Sequence, residues 1–212
     1  MFDSVFRRKD DERKFREEGR LPPGQSYTQK FPVLHYGPVP DFDPATWDFK
    51  IWGEVEEPLK LSWDEFNQLP RTRLKMDIHC VTRWSKFDTE WEGVSVRELL
   101  DKGFFRLKST AKYVLQHAEY GFTVNLPLEV VLQDNFLLAT HYNGEPITPD
   151  HGYPLRGIIG AIPARKDLTT PYFWKGAKWL RGLAFLPYDR PGFWEQAGYH
   201  NEADVWKEER FG

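Results

Sequence analysis

Residues 74–80, LKMDIHC, alternate between apolar and polar side chains and end on the only cysteine of the 212-residue chain. Leu74, Met76, Ile78 and Cys80 share this period of two, which predicts a β-strand with one buried face. We therefore expect the Cys80 thiol to point the same way as the apolar side chains. In that position it can be a core residue, a nucleophile or a metal ligand.

Similar short patterns along the chain predict a single α+β domain of many short strands and three or four short helices. Short helices are expected after Ser62 and Ser95, because each serine is followed three residues later by a glutamate. Trp84 and Trp91 are expected to bracket a turn, with Glu92-Gly93 breaking the chain. Further strands are predicted at 47–53, 112–117, 123–126, 137–142, 155–159 and 179–186.

The N-terminus differs in composition from the rest of the chain. Residues 1–20 contain seven basic and six acidic side chains and no apolar run, so they predict a charged arm and not a secretory signal. We divide the chain into this arm, residues 1–30, and a domain over 31–212. Residues 21–44 contain six prolines and are expected to be extended.

Composition limits the compartment and the partners. The net charge of −3 is spread along the chain and predicts no nucleic-acid partner. A single cysteine excludes an internal disulfide. No stretch approaches the roughly 20 apolar residues of a membrane span. These features predict a cytoplasmic protein.

The surroundings of Cys80 favour chemistry over simple packing. A free cysteine usually behaves as a small hydrophobe. Here His79 and Arg83 flank the cysteine and Thr82 offers a hydroxyl, and cationic neighbours are expected to lower the pKa of the thiol.

Several roles remain open for a reactive Cys80. A cysteine hydrolase would need a histidine base, and four histidines are available without any local signature: His117, His141, His151 and His200. A structural zinc site would need more cysteines and paired histidines. A soft thiolate as the one protein ligand suits a metal whose other ligands come from a cofactor.

A second group of residues is basic and glycine-rich. His151 precedes Arg156 by five residues, and Lys175, Lys178 and Arg181 follow. Such a group can be a solvated face, or it can bind an anionic phosphate through the cations and the accessible backbone.

Five segments occur together in one order: HYGPVP, HCVTRWS, Tyr120-Gly121 followed by Leu-Pro, HGYPLR and YFWKGAKWLRG. From about Phe31 onward the chain resembles the molybdopterin-binding domain of the sulfite oxidase superfamily. It is most similar to the compact bacterial oxidoreductases related to the catalytic subunit of periplasmic methionine sulfoxide reductase.

The resemblance implies a molybdenum-molybdopterin cofactor with one pterin per metal and the Cys80 thiolate as the protein ligand of molybdenum. It places Tyr120 beside the metal. The residues that it implies at the cofactor are His35 and Tyr36 at the pterin, His151 and Arg156 gripping it, Lys175, Gly176 and Lys178 near its phosphate, and His117 and Arg83 lining the cleft.

The resemblance also implies an activity, which is oxygen-atom transfer on a small substrate such as an S-oxide, an N-oxide or a sulfite-like molecule. Leu34 stands where the animal sulfite oxidases carry an arginine for their anionic substrate. Electrons are expected to pass through a separate, unidentified partner, because no haem domain is recognised. A non-catalytic scaffold with the same fold is the alternative. The segment 160–170 resembles an extra loop near the cofactor mouth.

Overall fold

The computed structural model describes residues 2–212, with side chains from residue 9 onward. Its strands are β1 Ser26–Tyr27, β2 Asp48–Gly53, β3 Leu59–Ser62, β4 Thr72–Cys80, β5 Trp84–Val94, β6 Tyr113–Ala118, β7 Thr123–Pro127, β8 Phe136–Tyr142, β9 Glu145–Pro146, β10 Arg156–Ile159 and β11 Leu180–Leu186. Its α-helices are α1 Phe2–Glu17, α2 Trp63–Asn67, α3 Val96–Asp101, α4 Leu128–Val131 and α5 Phe193–Gln196. Short 3₁₀ turns cover Glu119–Gly121, Pro149–His151, Phe173–Lys175 and Val205–Lys207.

The strands form two sheets, which confirms the α+β prediction. One sheet has the order β3-β2-β11-β6-β7, and the other runs β4-β5-β8-β10 with β1 and β9 at its margins. Apolar side chains from both sheets meet in one core, including Phe49, Val94, Leu138 and Leu183. Among residues 2–212, no helix is both long and apolar enough to cross a membrane.

The sheet that carries Cys80 curls back on itself. Asp77 in β4 and Ala161, just after β10, form an antiparallel bridge in which each backbone N–H donates to the other carbonyl at 2.8 Å. The bridge brings the first and last strands of the sheet side by side. The antiparallel direction then sets the end of β4 next to the beginning of β10, which starts at Arg156.

Local patterns predicted several elements well. Ser62 and Glu65 form the capping box, in which the Ser62 N–H donates to Glu65 Oε2 at 2.8 Å. Residues 21–44 contain no helix, as expected. The strands predicted at 112–117, 123–126, 137–142, 155–159 and 179–186 begin and end within one residue of β6, β7, β8, β10 and β11, respectively.

The expected turn between Trp84 and Trp91 is wrong, because both residues lie in the continuous strand β5. The turn comes earlier, over residues 81–83, and Arg83 adopts a positive φ of 67° there. Gly93 does not break the chain but pairs within the sheet. A side chain at Gly93 would place its Cβ 2.3 Å from the Leu138 carbonyl oxygen, so the position needs glycine for a close strand approach.

The expectation that β4 buries one face holds only for its first half. From Met76 to Cys80 every residue is buried, and Asp77 and His79, expected to face solvent, are 2% and 1% exposed. The chain between residues 20 and 28 covers them, since Arg20 binds the Asp77 carboxylate. The domain boundary at residue 30 stays a prediction.

Replacing Gly93 with alanine tests the close strand approach. We expect Gly93→Ala to lower the free energy of unfolding by about 1–3 kcal/mol, because the added Cβ overlaps the Leu138 carbonyl. Glu90→Ala, on an exposed position of the same strand, should stay within about 0.5 kcal/mol of wild type. Urea unfolding measures both, and equal stabilities of the two variants would contradict the strand packing.

Candidate cofactor site

Cys80 is the last residue of β4 and stands at the entrance to the 81–83 turn. It is 5% exposed and packs in a cluster with Met76, Trp91 and Phe173. The Thr82 hydroxyl donates a hydrogen bond to Cys80 Sγ at 3.2 Å. Because Thr82 itself is exposed, the sulfur lies just below the surface.

Burial raises the pKa of the Cys80 thiol, while the Thr82 hydroxyl and the Arg156 guanidinium oppose that rise. The expected lowering of this pKa by His79 and Arg83 is therefore wrong. His79 lies on the other face of β4, where its Nδ1 and the Ser85 hydroxyl are 2.8 Å apart. Burial lowers the pKa of His79 to about 3, so its ring is neutral.

Arg156 is the buried cation of the site, with 1% of its surface exposed. Its NH1 donates to the His151 carbonyl at 2.8 Å and its Nε to the Gly157 carbonyl at 3.2 Å. The guanidinium carbon lies 4.3 Å from the centre of the Phe173 ring. Within residues 9–212 no carboxylate pairs with Arg156, and burial lowers its pKa to about 9.

His151 and Lys178 lie beside Arg156. Burial lowers the pKa of Lys178 to about 7, with a further contribution from Arg156, and its Nζ donates to the Asp150 carbonyl at 2.6 Å. Burial lowers the pKa of His151 to about 4, with Lys178, Arg156 and His35 acting in the same direction. The structure thus brings together five of the predicted site residues: Cys80, Arg156, His151, Lys178 and His35.

Lys175 has a different environment from Lys178. Its Nζ donates to Asn125 Oδ1 at 2.9 Å and to Glu195 Oε1 at 2.5 Å, and the Lys175 and Glu195 side chains are 1% and 3% exposed. The amine is therefore part of a buried ion pair within the protein. The next residue, Gly176, lies close to the backbone of Gly157. A Cβ added at Gly176 would be 2.3 Å from the Gly157 carbonyl oxygen.

The other predicted site residues lie in separate surroundings. Tyr36 is 61% exposed and its ring centre is 4.6 Å from that of Phe193. The His117 ring lies 4.8 Å from the Trp52 ring. Tyr120 is 65% exposed with a positive φ of 56°. The Arg83 side chain is also exposed, and the roles of these residues stay predictions.

Aromatic residues complete the site, and sequence reasoning missed them. Phe31 stacks on the His151 ring with centres 3.8 Å apart. Phe173 and Trp91 present their faces to the Arg156 guanidinium. Phe173 belongs to the YFWKGAKWLRG segment, and Trp91 lies on the strand that follows Cys80. The high number of aromatic residues in these two stretches was the sequence signal that could have identified them.

The residues fit a metal that arrives with its own ligands and with negative charge. Within the described chain no group of three or more His, Cys, Asp or Glu side chains could hold a metal ion. The chain therefore offers one thiolate. Around it, Arg156 and Lys178 lack carboxylate partners in the described residues, and His151 Nδ1 is buried there without a hydrogen-bond partner. An anionic group with hydrogen-bonding atoms would satisfy all three.

The family model described as oxidoreductase molybdopterin binding domain matches residues 36–194. The chain belongs to this family of molybdopterin-binding oxidoreductases, which confirms the resemblance seen in its motifs.

Individual relatives agree with this assignment. An uncharacterized oxidoreductase of Bacillus subtilis, YuiH, is 45% identical over 196 residues, covering 92% of this chain and 93% of that protein. The mitochondrial sulfite oxidase of Rattus norvegicus is 23% identical over 82% of this chain, which spans only 36% of that enzyme. The sulfane dehydrogenase SoxCD of Paracoccus pantotrophus shares the fold with a TM-score of 0.59 at 21% identity, covering 73% of this chain and 41% of that one.

The two lysines of one segment should respond differently to the same substitution. We expect Lys175→Met to lower the free energy of unfolding by about 3–5 kcal/mol, because it leaves the buried Glu195 carboxylate unpaired. Lys178→Met removes no ion partner and should cost about 1 kcal/mol or less. Urea unfolding of cofactor-free protein measures both, and similar losses would contradict the buried pair.

Acid should destabilise the cofactor-free protein through its buried histidines. Unfolded His79 titrates near its usual pKa of 6.5, whereas the folded pKa is about 3. Between these values the unfolded state binds more protons, so folding stability falls as the pH falls through this window. We expect His79→Asn to flatten this fall, because it removes the group that takes up the proton on unfolding. Chemical unfolding across that pH range gives the slopes, and identical slopes in wild type and His79→Asn would exclude His79 as the cause.

Proposed function

We propose that this chain is an enzyme that uses a molybdenum cofactor to transfer an oxygen atom to or from a small substrate, with the Cys80 thiolate as the protein ligand of the metal. The observation that carries the proposal is a single buried thiol next to a buried guanidinium that has no carboxylate partner in the described residues. The family assignment supports the cofactor.

The protein residues bind and orient the cofactor. A bound cofactor of this class supplies two-electron chemistry at the metal. Cys80 supplies a soft sulfur ligand, and its thiol proton leaves when the metal binds. The Thr82 hydroxyl donates to the same sulfur and so limits its rotation.

Charged groups hold the anionic parts of the cofactor. We assign Arg156, His151 and Lys178 to one pterin and its phosphate, with His35 beside them. Lys178, whose pKa is about 7, gains a proton when an anion binds close to it. Because the Lys175 amine binds Glu195 and the Gly176 N–H donates to the Phe173 carbonyl, we assign the phosphate contact of this segment to the Lys178 amine.

The proposal also covers the class of substrate and the route of the electrons. Leu34 is exposed and uncharged at the position where the resemblance places an arginine, which favours an S-oxide or N-oxide over sulfite. Electrons would pass through a separate partner protein, and we propose a cytoplasmic location.

Metal content tests the role of Cys80. In protein expressed with cofactor biosynthesis intact, we expect about one molybdenum per wild-type chain and a loss of more than about tenfold in Cys80→Ser, because the hydroxyl is a poor ligand for a soft site. Thr82→Val, which keeps the sulfur, should retain the metal. Elemental analysis gives the ratios, and the same preparations are assayed with S-oxides, N-oxides and sulfite against artificial electron donors and acceptors.

Two results would contradict the proposal. Wild-type protein without molybdenum would favour a non-catalytic scaffold. Full molybdenum content in folded Cys80→Ser would remove Cys80 as the ligand while leaving the cofactor assignment intact.

A further inference from the structure

The segment from Arg20 to Thr28 lies against the strand that carries Cys80. The family match begins only at residue 36, so this segment is outside the part of the chain that defines the family. Leu21, Pro22 and Gln25 are nevertheless buried. The segment therefore belongs to the packed structure around Cys80.

Arg20 fixes the beginning of the segment. Its Nε and NH2 donate to the two oxygens of Asp77 at 2.8 and 2.7 Å, and NH2 also donates to Asp88 at 3.0 Å. The guanidinium lies over the rings of Phe15 and Phe87, 5.1 and 5.3 Å from their centres. A bidentate arginine pair of this kind sets both position and orientation. Asp77 lies three residues before Cys80.

Gln25 reaches the cysteine itself. Its side chain is 3% exposed, and its Nε2 donates to the Cys80 carbonyl at 3.2 Å. Its Oε1 accepts from the Ser85 hydroxyl at 3.4 Å, and Ser85 also contacts His79 Nδ1. Both ends of one buried amide thus join the strand before the turn to the strand after it.

The next residues hold the other side of the turn. The Ser26 N–H donates to the Arg83 carbonyl at 3.1 Å and the Thr28 N–H to the Ser85 carbonyl at 2.9 Å. These bonds form the parallel pairing of β1 with the start of β5. Inside the turn, the Arg83 N–H donates to the Cys80 carbonyl at 2.9 Å. That carbonyl therefore accepts one bond from within the turn and one from Gln25.

We propose that Gln25 and Ser26 form a clamp that positions the Cys80–Arg83 turn and thereby directs the Cys80 sulfur toward the metal. The inference rests on the proposed function for its metal and on the hydrogen bonds above for the clamp. Gln25 is a positioning residue, because it acts on the sulfur through the backbone of Cys80. A carbonyl held by two donors restricts the peptide that carries the thiol.

Reactivity of the thiol in full-length, cofactor-free protein tests the clamp. Gln25→Met keeps the side-chain length and removes both hydrogen bonds. We expect it to raise the rate of Cys80 alkylation by iodoacetamide at one fixed pH by about tenfold, because the turn opens more often. Gln29→Met, the same substitution at an exposed position four residues later, should alkylate within about twofold of wild type.

A second variant addresses the case in which Gln25→Met does not fold. Ser26→Pro removes the N–H that binds the Arg83 carbonyl, and the Ser26 side chain is exposed. It should also raise alkylation and should speed amide hydrogen exchange in the peptide that contains Arg83. If either variant folds but keeps the wild-type rates of Cys80 alkylation and amide hydrogen exchange, the clamp is overturned.

A spectroscopic measurement separates positioning from stability alone. In molybdenum-loaded protein, the electron paramagnetic resonance spectrum of Mo(V) depends on the arrangement of its sulfur ligands. We expect shifted g-values in Gln25→Met and wild-type values in Gln29→Met. Unchanged values in loaded Gln25→Met would refute a positioning role. Absence of molybdenum from wild type would refute the proposed function, whereas the alkylation rates would still decide whether the clamp holds the turn.

Discussion

The guanidinium of Arg156 is buried without a carboxylate partner in the described residues, and the chemistry of the site depends on this arrangement. Backbone carbonyls and aromatic faces hold the charge, but they compensate little of its lost hydration. Burial accordingly lowers the pKa values of Arg156, Lys178 and His151. A site built in this way gains most from binding an anion, because each depressed pKa then returns toward its usual value.

The curl of the first sheet explains how the thiol and the cation meet. In strand order, β4 and β10 are separated by β5 and β8. The Asp77–Ala161 bridge joins the two outer strands and closes the sheet, so the turn after Cys80 comes beside Arg156. Asp77 also receives the bidentate bonds of Arg20. One aspartate therefore links the closure of the sheet to the docking of the N-terminal segment, and both act on the strand that ends in Cys80.

Sequence patterns predicted the elements that depend on neighbouring residues and failed where distant residues decide. The Ser62–Glu65 capping box and the strand that ends at Cys80 depend on local patterns, and both were found. The burial of Asp77 and His79 depends on Arg20 and Gln25, more than 50 residues earlier, and no local pattern shows it. Lys175 and Lys178 read alike in the sequence, but Glu195 pairs with only one of them. The pKa of Cys80 could not be predicted either, because burial outweighs the cations that flank it in the sequence.

The raised pKa of Cys80 also distinguishes between the roles first considered for it. A nucleophilic cysteine needs the thiolate near neutral pH and a base to produce it. Burial opposes the thiolate here, and within the described residues the only side-chain hydrogen bond to the sulfur comes from the Thr82 hydroxyl and not from an imidazole. A metal ligand has no such requirement, because the cation displaces the proton and stabilises the sulfur charge itself. In the proposed role, burial would protect the free thiol from other reactions before the metal binds. The same environment that disfavours a hydrolase is therefore well suited to a single sulfur ligand beside Arg156.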